Sequence, residues 1–163
     1  DIPSYYHIPR VTLGAFAAGR WKNLPEAVQQ EFKRWQREMD PAFTERMCDD
    51  IMRLFDEKTE SNWVDFVTAV PAGDAAGGNR YPARVLAETV AKRMEAPYRH
   101  VMRGGSTGPE QRAVQPTVDA MINDGECALL VSDLVSSGIL ERRCVKKLSS
   151  AGAHVEVVAW TAY

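Results

Sequence analysis

Leu129-Leu130-Val131-Ser132-Asp133-Leu134-Val135-Ser136-Ser137-Gly138 reads as an apolar strand with an acid at its tip, then small hydroxyl residues and a glycine that open a helix. A strand end projects the Asp133 carboxylate at a fixed height. The Ser136-Ser137-Gly138 turn leaves backbone N–H groups unpaired at a helix N-terminus, where they and the helix dipole attract an anion such as phosphate. Gly138 lets the backbone come close, and the two serine hydroxyls can add hydrogen bonds. The same residue types also serve simply to make a turn and cap a helix, so the run has to be read with its surroundings.

Working outward, Cys127 to Val131 is continuously apolar and bounded by Asn123-Asp124-Gly125, as expected for a strand buried on both faces. From Ser137 to Ser150, Leu140, Cys144, Val145 and Leu148 recur at helical spacing, opposite a face carrying Glu141, Arg142, Arg143, Lys146 and Lys147. Gly152 stands where a helix C-cap is wanted, and Val155 to Trp160 reads as the next strand. Strand, turn, helix and strand in this order require two parallel strands joined by a right-handed crossover.

A second unit of the same kind lies upstream. Trp63 to Val70 reads as a strand, Pro71 to Arg80 as a glycine-rich loop, and Arg80 to Ala96 as a helix with Val85, Leu86, Val90 and Met94 on one face and Asn79 as its cap. The glycine spacing is not that of a dinucleotide fingerprint, and there is no Walker A lysine. Between the units, Met102 to Arg112 is too rich in glycine and polar residues for a regular element and reads as a mobile loop. Arg103 and Arg112 suit phosphate oxygens there, or are solvated surface charges.

The run Leu129 to Gly138 resembles the signature of the type I phosphoribosyltransferases: an apolar strand, two acids, small residues and a Thr-Thr-Gly-like turn. Ser132 stands where the first acid would be. The resemblance implies an α/β fold, a parallel sheet flanked by helices, with an N-terminal helical segment. It implies that Ser136, Ser137 and Gly138, with Leu134 and Val135 leading into them, hold the 5-phosphate of phosphoribosyl pyrophosphate, and that Asp133, the catalytic-site residue, binds a ribose hydroxyl. Gly73, Asp74, Gly77, Gly78 and Arg80 would contact pyrophosphate together with Mg²⁺, and Arg103 and Arg112 would ride on a loop that closes over the substrate. No residue is expected to form a protein metal site. Within the family, the Val-Pro loop and the helix beginning Tyr81-Pro82-Ala83-Arg84-Val85-Leu86-Ala87 are most similar to ComF-like competence-associated proteins, a likeness covering about residues 63–163.

The activity implied is transfer of ribose 5-phosphate to a nucleobase-like acceptor with release of pyrophosphate. The alternative is a non-catalytic module that binds a sugar phosphate, nucleotide or protein partner. The acceptor is not legible, and a homo-oligomer is compatible with either reading.

The first third differs in character. Asn23-Leu24-Pro25-Glu26 resembles a capping box, and Leu24, Val28, Phe32, Trp35 and Met39 repeat at helical spacing up to Asp40-Pro41. Phe43, Met47, Ile51, Leu54 and Phe55 then stripe a second helix. By position, residues 1–60 would fill the place of the hood that selects the acceptor, and residues 61–163 would form the core. The 163 residues, 45% hydrophobic and 26% charged, suit one folded unit, and a net charge of −2 offers no general attraction for nucleic acid. The lack of a run of about 20 apolar residues or of a signal peptide leads us to expect a cytoplasmic protein without membrane contact. Cys48, Cys127 and Cys144 lack metal-ligand spacing and read as reduced core thiols, and His7, His100 and His154 are too isolated to draw a catalytic dyad.

Overall fold

The computed structural model describes residues 5–58, 63–73, 80–105 and 114–163. The apolar run Leu129–Val131 lies in an interior strand of nine residues. Its elements in chain order are β1 (Tyr6–His7), β2 (Ala15–Arg20), α1 (Glu26–Glu38), α2 (Pro41–Lys58), β3 (Phe66–Ala69), α3 (Pro82–Met94), β4 (Met102–Gly105), β5 (Gln115–Val118), β6 (Cys127–Val135), α4 (Ile139–Ser150) and β7 (His154–Ala162).

The main sheet has the order β1-β2-β7-β6-β3, and β4 and β5 form a separate hairpin. Strands β2, β7, β6 and β3 are mutually parallel, and only β1 runs antiparallel. The expected α/β architecture is therefore present. The connection β6-α4-β7 steps one way across the sheet, whereas β2-α1-α2-β3 steps the other. Right-handed crossovers in opposite directions place α4 on one face and α1 and α2 on the other.

Side-chain alternation gives each face its core. Ser132 lies opposite Ala159 and Leu134 opposite Thr161, so Asp133 shares the other face with Trp160. Trp160 stacks on Phe32 of α1 at 5.2 Å and meets Phe43 of α2 edge-on at 5.5 Å. Its indole N–H donates to Asp50 Oδ2 at 2.9 Å, and the Trp35 N–H donates to Thr44 Oγ1 at 2.8 Å, so both buried polar handles are satisfied. On α4, Glu141, Cys144 and Leu148 form the buried stripe.

Several local expectations change. The strand carrying Asp133 runs on to Val135, and the helix begins only at Ile139. The earlier strand is shorter than Trp63 to Val70, and Trp63 is 67% exposed. Asn23 forms no capping box: it sits in a 3-10 turn, and Pro25 is the cap of α1 without a side-chain hydrogen bond. At α3 the cap position belongs to Tyr81, with Pro82 first in the helix, where its missing N–H costs nothing. Asn79, proposed for that role, lies outside the described residues. The segment expected to be wholly irregular from Met102 is a strand as far as Gly105, paired with Gln115–Val118. The first third is also not helical throughout, since β1 and β2 extend the sheet beyond β7.

Candidate functional site

Parallel strands end together, and the C-terminal end of β6 carries Asp133 and the turn that follows it. Asp133 lies near the end of β6, three residues before the exposed Ser136 and Ser137. The turn has a defined form: Gly138 is left-handed at φ 83°, and Ser137 Oγ accepts the Ile139 N–H at 3.3 Å. A side chain at 138 is excluded twice over, because its Cβ would also stand 2.9 Å from Val11 Cγ2. Leu134 is half-buried and Val135 buried where the strand leads into the turn.

Asp133 is half-buried, and Gln36 on α1 donates to its Oδ2 at 3.1 Å. Burial raises its pKa, partly offset by the Gln36 hydrogen bond and by the backbone N–H groups of Leu134 and Asp133 itself. Ser132 faces the opposite side, 2% exposed, with its hydroxyl donating to the Leu134 carbonyl at a long 3.4 Å. An acid at that position would have been buried.

The first loop begins beside this strand end: the Val70 N–H donates to the Val131 carbonyl at 3.1 Å, and Gly73 follows three residues later. The β4-β5 hairpin stands against it, since a Cβ on Gly104 would fall 2.1 Å from the Ala72 carbonyl oxygen. Arg103 is exposed on that hairpin. Arg80 is exposed at the entrance to α3, reaches the Met39 carbonyl at 3.5 Å, and lines an open groove of about 620 Å³ between α2 and α3. The structure thus puts Asp133 and the Ser136–Gly138 turn at one end of β6, with Gly73 on the adjacent loop beside Val114 and Arg103 on the neighbouring hairpin. No described contact brings Arg80 to the turn. Asp74, Gly77, Gly78 and Arg112 lie outside the described residues.

Three contributors were missed. Arg10 holds the turn in place: its Nη2 donates to the Ser136 carbonyl at 2.9 Å and to the Tyr163 carbonyl at 3.0 Å. Gln36 orients Asp133. Glu141, third residue of α4, is only 4% exposed, and burial together with the Asp133 charge pushes its pKa up to about 7, with its own N–H and Arg10 pulling the other way. Through α4, Glu141 brings a second carboxyl within electrostatic reach of Asp133. Only Glu141 carried a sequence signal, as an acid one helical turn past a glycine; Arg10 and Gln36 reach the site through long-range packing.

Among the described residues no cluster of three or more His, Cys, Asp or Glu could hold a metal, and no described helix is long and apolar enough to cross a membrane. Cys48 and Cys144 are buried free thiols and Cys127 is a half-buried one.

No family model matches the sequence, and no curated protein matches it. Solved structures do share the arrangement of sheet and helices. An adenine phosphoribosyltransferase superposes with a TM-score of 0.57 at 11% identity, over 77% of this chain and 72% of that one. The fold is of the adenine phosphoribosyltransferase type. The enzyme of that name from Saccharomyces cerevisiae, complexed with D-2,5-dideoxy-2,5-imino-altritol 1,6-bisphosphate and adenine, gives 0.55 at 11% identity over 77% of this chain and 71% of that one. The one from Thermoanaerobacter pseudethanolicus gives 0.52 at 12% identity, over 77% and 83%.

Proposed function

We propose that the chain is a phosphoribosyltransferase that takes phosphoribosyl pyrophosphate and a nucleobase-like acceptor. The observation that carries this reading is the placing of Asp133 and the Ser136–Gly138 turn on one strand end, beside the start of the Pro71–Gly73 loop. The turn would take the 5-phosphate through its N–H groups, with Arg10 keeping it shaped. Asp133 would accept a hydrogen bond from a ribose hydroxyl, with Gln36 fixing its carboxylate. The loop after β3 would receive pyrophosphate. Binding of an imino-altritol bisphosphate and adenine by the Saccharomyces cerevisiae protein of the same fold supports a sugar-phosphate reading.

In the reaction the ribose C1–O bond to pyrophosphate breaks, a C1–N bond to the acceptor forms, and the acceptor gives up its proton. Positioning and charge stabilisation account for most of the rate. Mg²⁺ usually takes one or two carboxylates and completes its shell from substrate phosphates and water, which fits a site offering the Asp133 carboxylate. When bound it would neutralise charge on the departing pyrophosphate.

The uncharged Ser132 favours a second reading, a module of the same fold that binds a sugar phosphate without turnover. Calorimetry with phosphoribosyl pyrophosphate and Mg²⁺ tests what the two share: binding is expected, at least tenfold weaker in Asp133→Ala. No binding, or identical binding by the variant, removes the ribose assignment. Pyrophosphate release with a panel of nucleobases separates the two, turnover supporting the enzyme and its absence with every base the module.

A further inference from the structure

Across β7 from the phosphate-type turn lies a second concave site. Arg20 pairs with Ala162, and Ala162 with Val135, so Arg20 ends β2 two strands away from the turn, about 10 Å at ordinary strand spacing. There an open cavity of about 410 Å³ is lined by Tyr5, Tyr6, Gly19, Arg20, Asn23 and Leu24, together with Ala18 of β2. Its size lies in the range of small-molecule sites, and its walls combine aromatic rings with one cation.

Two features of this cavity suit it to a ligand. Arg20 has no carboxylate partner among the described residues, and its Nε has no hydrogen-bond partner, although its guanidinium lies 4.2 Å from the centroid of the Tyr6 ring. A half-buried arginine held against an aromatic wall without a counter-charge is suited to receive an anion. Gly19 is not demanded by the backbone, being absent from the positive-φ glycines, nor by packing, since nothing lies within 4 Å of a Cβ placed there. Its effect is to leave space beside Arg20.

We propose that the Tyr5–Tyr6–Arg20 cavity is a binding site for a planar aromatic ring that carries a single carboxylate or phosphate. The anion pairs with the Arg20 guanidinium and the Asn23 amide, and the ring rests against the tyrosines and Leu24. The site is joined to the turn through Tyr6, whose hydroxyl pKa Arg20 and, less strongly, Arg10 lower, and Arg10 holds the Ser136 carbonyl. It does not depend on phosphoribosyl transfer.

The test follows tryptophan fluorescence, which Trp21 next to Arg20 makes sensitive to this cavity, while the full chain is titrated with benzoate, phenyl phosphate or inorganic phosphate. Saturation by benzoate, by phenyl phosphate or by both is expected, with inorganic phosphate at least tenfold weaker. Whichever ring compound saturates tells whether carboxylate or phosphate is the anion. Arg20→Gln and Gly19→Val should each weaken that binding at least tenfold, while Gly19→Val keeps its thermal midpoint and its affinity for phosphoribosyl pyrophosphate with Mg²⁺. The proposal is overturned if neither ring compound binds, if Gly19→Val binds as the wild type does, or if inorganic phosphate binds as tightly as the ring compounds. Loss of phosphoribosyl pyrophosphate binding in the wild type would instead overturn the proposed transferase and leave this site standing.

Discussion

Glu141 is where a single residue carries the most consequence for pH. Its carboxyl titrates at about 7 in the fold against an ordinary 4.5, so the folded state resists its ionisation. The stability associated with the protonated form is complete below about pH 4.5, declines as pH rises, and is lost by about 7. The groups that bear on it are Asp133 from β6, Arg10 from the segment before β2, and Cys144 one turn along α4. Glu141→Gln keeps the shape and removes the charge. Denaturant unfolding at a series of pH values should therefore show a flatter slope between about 4.5 and 7, with a gain over wild type at neutral pH of up to roughly 3 kcal/mol, from 1.36 kcal/mol per pKa unit. Asp133, raised in the same direction, keeps some slope in the variant. An unchanged profile would mean that Glu141 is solvated in the native state.

At the scale of elements, what was legible followed from patterns confined to a few neighbouring residues. The apolar run into β6, the hydroxyl-glycine turn and the α4 stripe all show in a window of some twenty residues, because period and turn chemistry are local. The hairpin was not, since β4 and β5 bracket a long connection and Gly104 and Gly105 read as breakers. Gly104 is there for contact: the Ala72 carbonyl occupies the space a Cβ would need, 2.1 Å from it. Gly104→Ala should push the hairpin off the Pro71–Gly73 loop, since backbone cannot yield as a flexible side chain does. Hydrogen exchange should then quicken at Met102–Gly105 and Gln115–Val118 by at least tenfold, while β6 and β7 stay protected. Equal loss of protection across the sheet would show instead that the hairpin holds up the core.

At the scale of the whole molecule, the division suggested by residues 1–60 and 61–163 meets a sheet that runs through both. Strand β2 hydrogen-bonds along β7 from Ala15↔Val157 to Arg20↔Ala162, and α1 and α2 supply the aromatic rings that cover Trp160. No periodicity within Ala15–Arg20 announces a strand: Ala-Phe-Ala-Ala-Gly-Arg is short and low in β-branched residues, and pairing with the far end of the chain makes it one. Removing the first third would expose an edge of β7 and bare Trp160, a hazard for self-association. We therefore expect the full chain to unfold in one cooperative transition, with tryptophan fluorescence and far-ultraviolet circular dichroism coincident. A fragment of residues 61–163 should in turn aggregate or lack a cooperative transition. If that fragment were monomeric by light scattering and melted sharply, the core would fold without its first third, and β2, α1 and α2 would be an accessory layer on a sheet complete at β7.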